Sequence, residues 1–360
     1  MRASISATIC SLYIFASSML QANHNHDFEN DSLAQATSEN DTRKYYTFNY
    51  PSSVPGGNTL LTGIRGTKSN PDKVYISGFY KYPGGMPVIP FVYKGRLSGK
   101  GTWNILNYPS SPGVTVVETN LYGPNNGRGS DIQVVGNYTT EETGTAAIGC
   151  LYEGPLYGSG TWTTLIPTSS VPVLNTIAHS TMGGLVVGNY DTQLDEGKAF
   201  IYDIKTYHDI IKPGAKSITA YGIWHNGGDC YTICGGYSDA DSIAGFEAGY
   251  LVDWNNKCQK FSNWRTYHYN NAPIRSLITH FDGITSDGHG GYNLTGDWLG
   301  VGEEGPELGF FCHIKKNRAK WSPVSFPGQL ATSGNSVYKK VVIGVYTSPG
   351  DEINGYISLP

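Results

Sequence analysis

The heptapeptide Val134-Val135-Gly136-Asn137-Tyr138-Thr139-Thr140 returns almost unchanged as Val186-Val187-Gly188-Asn189-Tyr190-Asp191-Thr192. Its core is two mostly apolar residues, then Gly, any residue and an aromatic ring. Four more copies occur, at Ile76–Tyr80, Ile233–Tyr237, Leu294–Trp298 and Val342–Tyr346. The six glycines, Gly78, Gly136, Gly188, Gly235, Gly296 and Gly344, are 58, 52, 47, 61 and 48 residues apart. Self-similarity at this interval marks a repeat architecture.

A second column follows each copy: Pro90-Phe91, Gly149-Cys150, Ala199-Phe200, Gly249-Tyr250, Gly309-Phe310 and Gly355-Tyr356. Rings and β-branched residues suit a pleated surface, and a small residue lets another backbone approach. A third column is aromatic and ends near a proline, as in Thr102–Pro109, Thr161–Pro167 and Lys320–Pro327. Each unit therefore reads as four short strands, A to D. Four-stranded units of roughly 40 to 50 residues are propeller blades. With 46 Gly, 26 Tyr and 15% charged residues, and no sustained helical period, the chain is expected to be all-β: a six-bladed β-propeller over residues 44–360.

The sixth unit ends at Pro360 without a D strand. Residues 44–56 resemble those from Thr102 onward, down to a shared Asn-Tyr-Pro-Ser-Ser. The spacing predicts that Lys44–Tyr50 supplies the missing outer strand and closes the ring, removing two exposed edges.

Residues 1–22 read as a secretory signal, with Arg2, an apolar Ala7–Ala16 run and Leu20-Gln21-Ala22 as a cleavage site. Residues 23–43 read as a disordered polar linker, in which His24 and His26 are solvated. No segment is long and apolar enough for a membrane helix, so the mature protein is expected to be soluble and extracellular or periplasmic. Loss of the signal removes Cys10 and leaves five cysteines. Cys150 and Cys234 fall in strand cores and are expected to be buried. Cys230 enters strand B and Cys258 follows strand C, so those two are paired as the expected disulfide.

These columns resemble the extracellular repeats named for a His-Ala-Phe signature. Gly63-Ile64 and Gly222-Ile223 match the opening of that pattern, the six Gly-x-aromatic copies its middle, and Lys198-Ala199-Phe200 its end, with Lys in place of His. The resemblance implies a secreted propeller and no particular activity.

In a propeller the A strands line the channel. Aligned here, they read Thr62-Gly63, Thr119-Asn120, Ala178-His179, Ala220-Tyr221, Thr279-His280 and Ser333-Gly334. The varied second position nominates Asn120, His179, Tyr221 and His280 as ligand-binding residues. His179 and His280 would then share one slot and titrate near neutrality. Trp224, Tyr267, Tyr269 and Trp298 supply loop rings, of which Trp224 and Trp298 join the candidate site.

The B–C loops hold Glu141, Glu142, Asp191, Asp195, Glu196, Asp239, Asp241, Glu247, Glu303, Glu304, Glu307, Asp351 and Glu352. The A–B and C–D loops hold most of the basic residues, from Arg43, Arg65 and Lys68 to Lys339 and Lys340. One mouth is thus expected to be acidic and the other basic, the latter suited to an anionic surface. Phosphate-loop, zinc-protease, paired-cysteine and hydrolase-elbow motifs are lacking, and no metal, cofactor or nucleic-acid partner is called for. Two functions fit. The favoured one is a secreted binding or adhesion module for a glycan or protein. The alternative is a secreted glycan hydrolase or lyase using channel histidines and mouth carboxylates.

Overall fold

The computed structural model describes residues 43–194, 197–239, 247–273, 276–300 and 306–360. The expectations for residues 1–42, and for Asp195, Glu196, Asp241, Glu303 and Glu304, lie outside the described residues.

The described chain forms six antiparallel sheets, each wound outward in the order A, B, C, D. Blade 1 runs Asn58–Gly66, Val74–Lys81, Val88–Gly95 and Gly101–Ile105. Blade 2 runs Val116–Asn126, Ile132–Thr140, Ile148–Gly154 and Thr161–Leu165, and blade 3 Val173–Met182, Leu185–Thr192, Lys198–Tyr202 and Tyr207–Ile210. Blade 5 runs Ser276–Ser286, Gly291–Gly300, Leu308–Lys315 and Arg318–Val324. In blade 4 strand A is split into Ala215–Ile218 and Gly222–Gly227, followed by Cys230–Asp239, Ala248–Asn255 and Lys260–Tyr267. Blade 6 also splits strand A, into Ala331–Thr332 and Ser336–Tyr338, followed by Val341–Thr347 and Ile353–Leu359. Its D strand is Lys44–Thr47, paired in register from Lys44 opposite Leu359 to Thr47 opposite Tyr356. Phe48 N–H continues the ladder to Gly355 O at 2.7 Å. The expected closure is present.

The repeat columns explain themselves in this register. Each column-one glycine lies directly opposite the column-two residue on strand C: Gly78 faces Phe91, Gly136 Cys150, Gly188 Phe200, Gly235 Tyr250, Gly296 Phe310 and Gly344 Tyr356. On its other side the glycine touches a strand-A carbonyl, from Leu60, Asn120, Ile177, Thr219, His280 and Ser333 in turn. A Cβ at any of the six would strike that oxygen. The glycine thus lets strands A and B close up while the neighbouring ring fills the space it leaves.

The third column joins blades. The ring that ends one D strand stacks on the strand-B ring of the next blade: Tyr108 on Tyr138 at 3.7 Å, Tyr269 on Trp298 at 4.0 Å, Phe326 on Tyr346 at 4.0 Å. Blade 4 places the Lys212 ammonium 3.8 Å from the Tyr237 ring centroid instead. A strand-A threonine hydroxyl holds the backbone N–H of the joining residue, as Thr119 does for Tyr108 and Thr279 for Tyr269. Apolar clusters fill each of the six blade interfaces, so the core is a ring of slabs around a polar channel.

Cys150 and Cys234 are buried as expected. The Cys230–Cys258 disulfide is not formed, and both are exposed free thiols. Cys230 lies opposite Asn255 in register. Asn255 stands between the two sulfurs, its Nδ2 3.9 Å from Cys230 Sγ and its carbonyl oxygen 4.0 Å from Cys258 Sγ. Among the described residues no helix is long and apolar enough to cross a membrane.

Candidate functional site

The channel is built in layers. The strand-A residues whose carbonyls meet the six glycines define one layer: Leu60, Asn120, Ile177, Thr219, His280 and Ser333. Two residues further along each strand lies the next: Thr62, Tyr122, His179, Tyr221, Asp282 and Asn335. The shared slot expected for His179 and His280 is therefore wrong. In register Ala178 faces Gly188 and Phe281 faces Gly296, so His179 follows and His280 precedes the residue opposite its glycine; an alignment of Ala178 with Thr279 is two residues out. Asn120 and His280 share one layer; His179 and Tyr221 share the other.

The second layer is a belt of rings. Tyr122 and His179 have centroids 5.1 Å apart, His179 and Tyr221 3.9 Å, and Tyr221 and His280 4.4 Å. One cavity along the channel measures about 20 Å³, room for a water-sized species and no sugar. Burial, with His280 adding to it, pulls His179 down to about 3, so it is neutral near pH 7. Burial also lowers His280, against Glu247 and Asp297. His179 is therefore not the neutral-pH switch that the sequence suggested. Trp224 stands by Arg65, toward the A–B end of the channel, whereas Trp298 stands near the B–C end, so the two tryptophans do not share a site.

The chemistry concentrates at the D–A and B–C mouth, on blades 4 and 5. His280, 3% exposed, lies opposite Asp297 in the sheet. Its Nε2 is 2.5 Å from Thr219 Oγ1 and 3.7 Å from Glu247 Oε1; its Nδ1 is 2.7 Å from Asp282 Oδ1. The Thr219 hydroxyl donates to Gly236 O, so it accepts from His280, which carries its proton on Nε2. Nδ1 then accepts from a neutral Asp282 or belongs to an imidazolium–carboxylate pair. Burial pushes Asp282 well up and His280 down, which selects the neutral pair.

Three more carboxyls converge above this pair. Burial, then Asp282, pushes Asp297 up to about 8, against the Gly334 N–H bonded to its Oδ1 at 2.9 Å and against His280. Burial raises Glu247, opposed by His280 and reinforced by Asp282, and its side chain is 25% exposed. Burial, then Asp297, Glu247 and Asp282, drives Glu307 well above the usual carboxylate range. Glu247 and Glu307 occupy the same structural position in adjacent blades, two residues before Gly249 and Gly309. The other blades place Val88, Ala147, Gly197 and Ile353 there. The Glu247 backbone also pins blade 5, accepting from Thr279 N–H at 3.0 Å and donating to Leu277 O at 2.8 Å.

Gly236 makes the room. It fills the x position of the blade 4 phrase, where the other blades carry side chains. A methyl group there would strike the Glu247 carboxylate and the His280 ring. Across the ring, on blade 2, Asn120 Oδ1 and Asn137 Oδ1 are buried and lack a partner among the described residues. The sequence reading nominated Asn120 and His280 here but passed over Glu247, Asp297 and Glu307 as site residues. The signals were present: Asp in the x position of blade 5, Gly in that of blade 4, and Glu before the second column only in these two blades.

Not every acidic loop residue is solvated. Asp191 is buried and accepts the Gly197 N–H at 2.8 Å. Arg65, counted with the basic loops, is also buried.

No protein-family model matches the sequence, and no curated protein is similar to it. Among solved structures, the chain is similar in fold to the GH93 α-L-arabinofuranosidase of Fusarium graminearum with arabinobiose, at 13% identity, covering 83% of this chain and 92% of that one, TM-score 0.48. It is also similar to a Bacillus megaterium levansucrase mutant, at 9% identity, covering 90% and 96%, TM-score 0.48. Bacillus subtilis levansucrase follows at 8% identity, covering 89% and 95%, TM-score 0.48. These are likenesses of chain path and carry nothing about chemistry.

Proposed function

We propose that the chain is a glycan hydrolase acting at the D–A and B–C mouth, the second of the two functions drawn from the sequence. The observation that carries this reading is the convergence of Glu247, Asp297 and Glu307 over His280. Hydrolysis of a glycosidic bond needs one carboxylic acid to protonate the leaving oxygen and one carboxylate to act as base or nucleophile. Unequal environments separate the two roles. Glu307, raised by burial and three carboxyl neighbours, is the proton donor. Glu247, pushed up less far than Glu307, is the carboxylate. Asp297 braces the site through Gly334 of blade 6.

Reducing-end release from a panel of neutral polysaccharides and oligosaccharides tests the reading. Wild-type protein is expected to cleave at least one class, and Glu247→Gln to lose about 10²–10⁴-fold in kcat. Saturable binding without turnover across the panel would return the account to the adhesion reading. Residues 1–22, read as an export signal, and the His-Ala-Phe resemblance support an extracellular setting for this activity. Expression in a secreting host, with N-terminal sequencing of protein from the medium, checks that step.

A further inference from the structure

The Arg65 guanidinium crosses the channel below the ring belt. It is 8% exposed. Its NH1 reaches Ile284 O of blade 5 at 3.4 Å, and its Cζ stands 5.4 Å from the Trp224 ring of blade 4. Nε is buried with no hydrogen-bond partner, and Arg65 forms no ion pair with any described acidic residue. A buried cation without a counter-charge is costly, and its one orphaned donor adds to that cost.

The small channel cavity lies against it. Thr62, Ser180, Ser336, His179, Tyr221 and Asp282 share its wall with Arg65. Ser336 Oγ accepts from Ile64 N–H at 3.3 Å, which leaves its own proton for the cavity. The Ser180 hydroxyl makes no hydrogen bond among the described residues. The Asp282 carboxyl is engaged by His280 Nδ1 at 2.7 Å, and burial favours its neutral form, so it does not discharge Arg65. The wall thus has a fixed positive charge and spare donors. At about 20 Å³ the space excludes sulfate, phosphate and any sugar.

We propose that the channel holds one monatomic anion, chloride under ordinary conditions, bound to Arg65 with help from Ser336 and Ser180. A water would satisfy a donor but leave the charge uncompensated. The anion would tie blades 1, 3 and 6 to the guanidinium that already bridges blades 4 and 5. The cavity meets the carboxyl cluster at Asp282, which lines it and bonds His280, but the proposal does not rest on the hydrolytic reading.

Full-length mature protein is titrated with chloride against gluconate at constant ionic strength while Tm is followed, and crystals are soaked in sodium bromide. The expected result is a saturable rise in Tm with chloride, none with sulfate, and a bromide anomalous peak in hydrogen-bonding range of Arg65 Nε. Ser336→Ala is expected to weaken halide affinity by about tenfold, the worth of one donor. Arg65→Met is expected to abolish the halide dependence. Should that variant fail to fold, the bromide soak of the wild type decides alone. A chloride-indifferent Tm, or an ordered water in place of bromide at Arg65, overturns the proposal.

Discussion

At the scale of single residues, Gly236 is the clearest link between sequence and site. One methyl group there meets both the Glu247 carboxylate and the His280 ring. Gly236→Ala is therefore expected to cut activity by an order of magnitude or more while moving Tm only a few degrees. Comparing kcat and Tm on one preparation checks this. His179 tests the other layer. Burial holds its folded-state pKa near 3, below the ordinary value of about 6.5. The unfolded chain takes up that proton first, so stability is full above about pH 6.5 and declines as pH falls through it. His179→Asn is expected to flatten that part of the stability–pH curve, measured by urea unfolding between roughly pH 7 and 4. An unchanged slope would mean that His179 is not buried in its neutral form. Asp287 works in the same direction lower down. Burial raises it, but bonds from His313 Nε2 at 3.0 Å and from the His289 and Gly291 N–H groups outweigh that and hold it low. Its contribution is present above about pH 4 and is lost in stronger acid.

At the scale of elements, most of the fold was legible because each repeat column answers one steric demand. A glycine under a strand-A carbonyl, a ring opposite it on strand C and a ring joining one blade to the next are each readable without coordinates. The closing strand was legible for the same reason, since residues 44–50 repeat the outer-strand text of blade 1. Deleting residues 44–47 opens the ring and removes the Lys44–Leu359 ladder, so it is expected to lower Tm of the whole domain in a single transition. Loss of one separate, partial transition with the remainder intact would contradict the closed ring. What sequence missed was the register along strand A. Aligning Ala178 with Thr279 rather than with Phe281 put His179 and His280 in one slot, although they lie in different layers. The Cys230–Cys258 pairing failed on similar grounds, because neighbouring strand ends do not fix which residue stands between two sulfurs.

At the scale of the whole molecule, six near-equivalent blades form one asymmetric site by altering a few equivalent positions on two neighbours, Gly236 and Glu247 on blade 4 and Asp297 and Glu307 on blade 5. Glutamate replaces Val88, Ala147, Gly197 or Ile353 only at Glu247 and Glu307. Elevated carboxyl pKa values give the activity a bell-shaped pH profile. Its acid limb, where Glu247 must lose its proton, lies above the ordinary glutamate value of about 4.3. Its alkaline limb falls as the proton donor ionises. The most direct measurement compares Glu307→Gln with wild type on two substrates of the same sugar, one with an ordinary sugar leaving group and one with a dinitrophenyl leaving group. The second departs without protonation. The account expects a loss of about 10²–10⁴-fold in kcat/KM on the first and a far smaller loss on the second. Equal losses on both substrates, or no loss on either, would contradict Glu307 as the proton donor and with it the hydrolytic reading of this mouth.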